Sequence, residues 1–352
     1  MSEFSQMNFC SDNVTGVAPE IMQALAEANQ GTAWPYGNDD WTRKVEAQLA
    51  EIFERKVRAF PVATGTATNS LALATMCPPY AAMLAHEAAH VMVDECGAPE
   101  FYSGGAKLIP IAGAHGKMSA EGVAAALAKW RSTDPHQVPL AAISLTNATE
   151  SGTVYRPDEV KAIADIAKAE GLRVHLAGPR FADAMACLGV PAKAVTWQAG
   201  VDALSFGATK GGAMAAECVV FFDEKLAESF AYRRMRGGHL VSKMRFVSAQ
   251  LNAFFADGLW LKLSRHANAM AQRLAQGLTR IPGARLVHPV EANELFVVLP
   301  AAVIAGLREA GAEFYDWAGE PNMIRLVTAW ETEPAKVERF LKIAAEVAAQ
   351  AA

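Results

Sequence analysis

The sequence predicts an α/β protein with a large domain built on a mostly parallel sheet and a smaller C-terminal α/β domain. From about residue 45 to 225, short apolar segments alternate with longer segments of helical periodicity. Such alternation is typical of parallel strands covered by helices on both faces. After about residue 243 the pattern changes to one long helical segment followed by short strands. These changes divide the chain into an N-terminal segment 1–15, a large domain 16–242, and a helical connector with a small domain 243–352.

Six apolar segments of the large domain have the length of strands. They are 57–62, 107–111, 141–145, 172–176, 203–206 and 218–222. Between the third and the fourth, the segment PDEVKAIADIAKAEG has apolar residues at helical spacing, with Pro157 at its start and Gly171 at its end. Ligands of such sheets bind at the carboxyl ends of the strands, so the side chains there are the candidate site residues.

The sequence pattern of the C-terminal third predicts the connector and the small domain. Residues 243–281 have the pattern of a nearly continuous helix, broken at most near residues 257–258. Short strands are expected at 285–288, 295–298 and 323–327, and helices at 301–310 and 333–350.

Composition excludes several classes of partner. The 352 residues are 52% hydrophobic and 20% charged, and the net charge of -5 comes without a basic run that would bind nucleic acid or an anionic membrane. The five cysteines are scattered and lack CxxC spacing, which indicates free thiols in a reducing compartment. No apolar run reaches the roughly 18 residues of a membrane span, and no signal-peptide core begins the chain. We expect a cytoplasmic protein that acts on a small molecule.

Residues 86–90, HEAAH, match the zinc-protease signature through His86, Glu87 and His90. In that motif two imidazoles one helical turn apart bind the metal and the glutamate is the general base. A third ligand should follow, but Val93 and Cys96 stand where the extended pattern requires Gly and His. The sequence therefore predicts no metal site.

Two strand ends carry groups suited to a phosphorylated cofactor. Thr64, Gly65 and Thr66 lie between a strand and a helix, where free N–H groups, the helix dipole and two hydroxyls can bind an anion. Lys210 follows a buried strand among small residues, a setting that lowers the pKa of an amine and suits Schiff-base chemistry. Either pattern alone also fits an ordinary helix start or a solvated lysine.

The order of these groups along the chain resembles that of the fold-type I pyridoxal phosphate enzymes. In detail it is similar to the L-threonine aldolase group of the β-eliminating lyase family, and the resemblance covers almost the whole chain. The matching segments are FCSDNVTGVAPEIMQAL, WPYGNDD, ATGTATNSLAL, HEAAHVMVDECGAPEF, HLAGPRFADA, SFGATKGG, GGHLVSKMRF and MIRLVT.

The resemblance implies that Lys210 holds pyridoxal phosphate as a Schiff base and that His90 stacks on the cofactor ring. HEAAH is then expected on a helix, with two roles left open for His86: contact with the substrate hydroxyl or support of His90. Ser205 is expected near the phosphate, with Arg234 as a basic residue beside it. The implied cofactor-binding residues are Thr64, Gly65, Thr66, His90, Ala177, Arg180, Ser205, Lys210 and Arg234.

For the substrate, the resemblance implies that Arg180 lies near the carboxylate and the phenolic oxygen of the cofactor, and that Arg325 binds the carboxylate. Ser11 and Tyr36 match active-site positions, Tyr36 from a neighbouring subunit, so at least a homodimer and more typically a tetramer is expected. The implied reaction is retro-aldol cleavage of a β-hydroxy-α-amino acid to glycine and an aldehyde. The base for the β-hydroxyl is left open among a histidine, a phosphate-bound water and a hydroxylic side chain.

One position departs from the family. Its members read HxDGAR where this chain reads HLAGPR, so that Ala177 replaces the aspartate that bonds the pyridine nitrogen and Pro179 replaces alanine. Asp183, six residues further and expected on the next helix, is a poor substitute. The pyridine is then unprotonated here, or the chain is an altered, slower aldolase. A racemase, a transaminase, an aldolase for α-substituted amino acids and an impaired cofactor-binding protein are the alternatives.

Overall fold

The computed structural model describes residues 7–131 and 133–351. The strands are β1 Met7–Asn8, β2 Arg58–Val62, β3 Ala82–His86, β4 Lys107–Ile111, β5 Leu140–Thr146, β6 Arg173–Gly178, β7 Ala203–Gly207, β8 Glu217–Phe221, β9 Arg285–Leu286, β10 Glu294–Val298, β11 Ala312–Glu313, β12 Tyr315–Asp316 and β13 Met323–Val327. The α-helices are α1 Pro19–Ala28, α2 Asp40–Ile52, α3 Gly65–Met76, α4 His90–Val93, α5 Ala98–Ser103, α6 Ala120–Trp130, α7 Pro157–Ala169, α8 Phe181–Leu188, α9 Glu224–Arg236, α10 Arg245–Phe255, α11 Leu259–Leu278, α12 Ala301–Glu309 and α13 Pro334–Ala351.

The large domain is organised around a seven-stranded sheet with the strand order β2-β8-β7-β6-β5-β3-β4. Strand β8 runs antiparallel to both of its neighbours, and the other pairs are parallel. Successive residues of one strand alternate between two hydrophobic cores: Leu84 and Ile143 pack on one face of the sheet, Met83 and Ala142 on the other. The sheet is therefore buried on both faces, which confirms the predicted α/β fold.

All six predicted strands of the large domain are present, with ends that differ by at most two residues. The strand that sequence analysis missed is β3, which forms parallel pairs with β4 and β5 in the middle of the sheet. It is buried along its whole length, so its sequence AMLAH lacks the alternation that marks a half-buried strand.

The small domain contains a four-stranded antiparallel sheet with the order β12-β13-β10-β9. Helices α12 and α13 and the second half of α11 contribute to its core, which includes Leu274, Val303 and Phe340. Strand β1 pairs in parallel with β11, and Met7 and Phe9 enter the same core. Residues 1–6 of the predicted N-terminal segment lie outside the described residues.

The predicted break in the long connecting helix is confirmed. A 3-10 turn, Ala256–Gly258, separates α10 from α11, and both Asp257 and Gly258 have positive φ there. Helix α10 packs into the core of the large domain through Leu251 and Phe254. The domain boundaries given above stay a prediction. In the described part of the chain, no helix is both long enough and apolar enough to cross a membrane.

Candidate active site

The turn from β2 into α3 provides an anion-binding site. Thr64 is the N-cap of α3, and its Oγ1 accepts a hydrogen bond from Ala67 N at 3.3 Å. The geometry of a helix start leaves the N–H groups of Gly65 and Thr66 free for a ligand. A Cβ atom built on Gly65 would meet no atom within 4 Å, so there is space in front of the helix.

Arg234 brings a cation to the same edge of the sheet. Its Nη1 donates to the carbonyl of Pro61 on β2 at 3.2 Å, and its guanidinium lies 5.3 Å from the Phe60 ring centre. Burial lowers the pKa of this guanidinium, and its buried Nε has no hydrogen-bond partner among the described residues. Tyr36 lies in a neighbouring loop, is half exposed, and has its N–H bonded to Ser242 O at 3.0 Å.

Lys210 lies in the turn that connects β7 with β8. The nearby positive charge of Arg180, followed by burial, lowers the pKa of its amine, although Asp12, Glu294 and Glu217 act in the opposite direction. A lowered pKa increases the fraction of neutral amine, which is the nucleophilic form that Schiff-base chemistry requires.

Arg180 is held at the centre of a buried ionic cluster. Its Nε and Nη2 donate to the two carboxylate oxygens of Asp12 at 2.8 and 3.3 Å, and its Nη1 donates to Glu294 Oε1 at 3.1 Å. Asn293 Nδ2 donates to Asp12 Oδ2 at 3.0 Å. Burial alone would raise the pKa of Asp12, but the charges of Arg180 and Lys210 lower it. The donors of Arg180 are therefore bonded to two carboxylates of the chain itself.

Arg325 of β13 also has a donor without a partner among the described residues. Its Nη2 bonds to Cys10 O at 3.1 Å, and its guanidinium lies 4.5 Å from the ring centre of Trp317. Its Nε is buried without a partner in residues 7–131 and 133–351. Ser11 is adjacent to the bonded carbonyl, and its hydroxyl accepts from Asn13 N at 3.1 Å. The N-terminal segment thus brings Ser11 and Asp12 to the two arginines.

The expectation that HEAAH forms one helix is wrong. His86 is the last residue of β3 and His90 is the first residue of α4, with a turn between them. The cause is the pairing of residues 82–86 inside the sheet, which fixes His86 in an extended backbone. His86 Nδ1 accepts from Ala88 N at 3.1 Å and its Nε2 bonds to Gly113 O at 3.0 Å. Both nitrogens are therefore occupied by backbone groups, which supports the loop that leads to His90.

His90 is oriented by a carboxylate that sequence analysis did not assign to the site. Its Nδ1 lies 2.9 Å from Oε1 of the buried Glu95, which also accepts from Asn69 Nδ2 at 2.7 Å. Because the carboxylate accepts, Nδ1 carries the proton and Nε2 is left as the acceptor nitrogen. Among the described residues there is no group of three His, Cys, Asp or Glu side chains that could hold a metal.

Ala177 lies on β6 between Thr146 of β5 and Ser205 of β7. The Oγ of Ser205 is bonded to His175 Nε2 at 2.9 Å. His175 Nδ1 is bonded to Ser144 Oγ, also at 2.9 Å, and burial lowers the pKa of His175 to about 3. Asp183 lies on α8, as expected, and burial raises its pKa to about 7.

Four further acidic or polar groups of the site were missed: Asp12, Glu150, Asn293 and Glu294. Asp12 was inside a matching segment, but nothing in its sequence context pairs it with Arg180. Glu294 carried a usable signal, since it begins an apolar strand and such a charge needs a buried partner. Asn293 and Glu150 lie in loops, where only the folded chain defines their neighbours.

The residues present fit pyridoxal phosphate at most positions. The free N–H groups of the α3 turn suit its phosphate, the neutral form of Lys210 suits its aldehyde, and Arg325 keeps a donor for a carboxylate. Ala177 is the exception, since a methyl group cannot pair with the ring nitrogen. Taken with the fold, this site places the chain among the fold-type I enzymes that use pyridoxal phosphate.

Comparisons with known proteins define the family. The profile of the beta-eliminating lyase family matches residues 8–302. The chain is 41% identical to a low specificity L-threonine aldolase of Pseudomonas sp. (strain NCIMB 10558) over 340 residues, 97% of each protein. It is also 41% identical to one of Pseudomonas aeruginosa over 347 residues, 99% of this chain and 98% of that protein. A structure of Leishmania major threonine aldolase is similar with a TM-score of 0.91 and 28% identity, covering 97% of this chain and 99% of that one. The chain belongs to the beta-eliminating lyase family and is a pyridoxal phosphate-dependent lyase.

Proposed function

We propose that the protein cleaves L-threonine and similar β-hydroxy-α-amino acids to glycine and an aldehyde. The observation that carries the proposal is Lys210, a buried amine in the turn after β7 whose pKa is lowered by the charge of Arg180 and by burial. The names of the relatives at 41% identity support the substrate class.

The chain provides the groups that hold the cofactor. Gly65 and Thr66 bind its phosphate through their N–H groups, Arg234 adds a positive charge, and Lys210 holds the cofactor covalently through Nζ. His90 covers the ring, in an orientation fixed by Glu95. When bound, pyridoxal phosphate supplies an electron sink for the pair that remains when the Cα–Cβ bond breaks.

Arg325 and the Arg180 cluster orient the substrate. The free Nε of Arg325 donates to the substrate carboxylate, and Trp317 keeps the guanidinium in place. Arg180, fixed by Asp12 and Glu294, contributes its charge at one defined position. A fixed carboxylate restricts rotation about Cα. The orientation of the Cα–Cβ bond relative to the cofactor ring is thereby set.

His90 Nε2 is the group proposed to accept the β-hydroxyl proton, because Glu95 holds the proton of the ring on Nδ1. Loss of that proton lets the hydroxyl oxygen form the aldehyde carbonyl as the Cα–Cβ bond breaks. The buried carboxylate of Glu95 stabilises the positive charge that develops on the imidazole of His90. A proton added to Cα then completes glycine.

The reaction is tested by incubating the cofactor-loaded protein with L-threonine. We expect acetaldehyde and glycine in equal amounts, and no product from Lys210→Ala. Formation of D-allo-threonine, the product of inversion at Cα alone, would indicate a racemase, and a keto acid would indicate a transaminase. Cofactor bound at Lys210 with no product from any β-hydroxy amino acid would indicate an impaired cofactor-binding protein.

A homotetramer in the cytoplasm is proposed for the assembly. Large apolar side chains are exposed on a single chain, among them Trp34 with 76% exposure and Tyr36 with 50% in the loop expected to reach a neighbouring subunit. Free cysteines at all five positions support a reducing compartment. Light scattering of the active protein should give four times the mass of one chain. An active species with the mass of a single chain would exclude a shared site.

A further inference from the structure

Ala177 leaves open which group of this chain serves the ring nitrogen of the cofactor. Residues in register on neighbouring strands point to the same side of a sheet, so Thr146 and Ser205 are the side chains beside the methyl group. Each of them interacts with a different polar group, Ser205 with His175 and Thr146 with Glu150. These two groups are the candidates to replace the missing carboxylate.

Ser205 belongs to a chain of hydrogen bonds between neutral groups. His175 lies between Ser205 and Ser144, and both of its nitrogens are bonded at 2.9 Å. The imidazole is fully buried and stays neutral, since burial lowers its pKa to about 3. This chain of neutral groups has no charge with which to replace a carboxylate.

Thr146 lies close to a carboxyl group. Its hydroxyl interacts favourably with the carboxylate of Glu150, on the loop that follows β5. Glu150 Oε1 accepts the backbone N–H of His90 at 2.7 Å. The Glu150 carboxyl group therefore lies between the residue beside Ala177 and the residue that covers the ring.

One oxygen of this carboxyl group has no partner. Glu150 Oε2 is buried and has no hydrogen-bond partner in the described part of the chain. Buried polar atoms are rarely left unpaired, because the loss of hydration is then uncompensated. Burial raises the pKa of Glu150, against the lowering effects of the His90 N–H and of Thr146. A proton-carrying group placed against Oε2 would satisfy it.

We propose that Glu150 replaces the carboxylate missing at position 177 as the acidic partner of the pyridine nitrogen. The proposal rests on the proposed function only in requiring that pyridoxal phosphate binds at Lys210. The carboxylate that pairs with the ring nitrogen then comes from the loop after β5 and not from β6.

The test compares two ligands on the full-length protein: pyridoxal phosphate and its analogue with carbon in place of the ring nitrogen. The affinity of each is measured by titration of the cofactor-free protein. The parent chain should prefer pyridoxal phosphate on the order of 10- to 100-fold, the range expected for a hydrogen bond to a charged group. Glu150→Gln should reduce this preference to about twofold or less.

Glu87→Gln is the matched control, because Glu87 is exposed in the turn before His90 and carries the same charge. It should keep the preference of the parent chain. Since the two ligands are compared within each variant, a general loss of stability cancels. Adding Ala177→Asp to Glu150→Gln should restore the preference. If Glu150→Gln folds poorly, the ¹⁵N resonance of labelled pyridoxal phosphate in the parent chain tests the same contact.

A preference that is the same in the parent chain and in Glu150→Gln would overturn the role of Glu150 while leaving the proposed function intact. The ¹⁵N resonance of labelled pyridoxal phosphate gives a second readout, which should move toward that of an unpaired pyridine in Glu150→Gln alone. If pyridoxal phosphate does not bind to Lys210 in any variant, both proposals fail.

Discussion

Arg180 Nε donates a hydrogen bond to Asp12 Oδ2 at 2.8 Å, and so joins two residues that are 168 positions apart in the chain. Both side chains are buried, and Glu294 of the small domain binds the same guanidinium. The orientation of Arg180 therefore depends on the N-terminal segment, the large domain and the small domain together.

Asp12→Asn should weaken the orientation of Arg180 without removing the cofactor site. The amide keeps the shape of the carboxylate but leaves the guanidinium with one ionic partner, which is costly for a buried charge. We expect kcat/KM for L-threonine to fall on the order of 10- to 100-fold, while Lys210 still binds pyridoxal phosphate. Asp316→Asn, which removes an exposed partner of Arg308, is the control and should change neither value. Unchanged kcat/KM in Asp12→Asn would mean that Arg180 does not need the Asp12 carboxylate to keep its orientation.

Ala177→Asp separates two explanations of the departure from the family. If the ring nitrogen has no acidic partner, the new carboxylate should raise kcat on the order of 10- to 100-fold, since the interaction strengthens as charge develops. If Glu150 already serves the nitrogen, the gain should be less than about threefold in the parent chain. The larger gain is then expected in the Glu150→Gln background. Steady-state kinetics of the four proteins decide between the two.

Asp183→Asn should change the pH dependence of stability. Burial raises the pKa of Asp183 from 3.8 to about 7, so the folded chain holds a proton that the unfolded chain releases. This contribution to stability is complete below about pH 4 and is lost as the pH rises through about 7. Relative to the parent chain, the free energy of unfolding of the variant should rise by on the order of 4 kcal/mol between pH 4 and pH 8.

Urea unfolding of the cofactor-free protein at several pH values measures this difference. Asp165→Asn is the control, since Asp165 forms an exposed pair with Lys161 on the surface of α7. Its difference from the parent chain should not vary over the same range. A constant difference for Asp183→Asn as well would contradict the raised pKa.

Zinc should have no part in the reaction. His86 uses both nitrogens for backbone groups and His90 is bonded to Glu95, so neither ring is free to bind a metal with the other. Dialysis against a chelator should leave the rate of L-threonine cleavage unchanged, and elemental analysis should find far less than one zinc per chain. Activity that is lost to the chelator and restored by zinc would refute this.

The fold could be read from the sequence where one physical pattern dominated. The helical spacing of α7 and the break at Asp257 and Gly258 were predicted because local sequence determines both. Strand β3 was missed because burial on both faces removes the alternation of polar and apolar residues. The turn at residues 87–89 was then included in a helix that the motif alone suggested.

The site could be predicted only in part. The positions of Lys210 and of the α3 turn could be predicted because each follows a strand in the sequence, and their roles stay predictions. Asp12 and Glu294 were not found, since their pairing with Arg180 depends on which distant segments meet in space. The role of Glu95 was not predicted, because its bond to His90 depends on the backbone of α4.

All of the proposed chemistry depends on Lys210 as the residue that holds the cofactor. Borohydride reduction of the protein loaded with pyridoxal phosphate, followed by proteolysis and mass spectrometry, tests it directly. We expect a stable pyridoxyl adduct on the peptide that contains Lys210, and no adduct on that peptide in Lys210→Arg. An adduct at full occupancy on any other lysine, with Lys210 unmodified, would contradict the assignment.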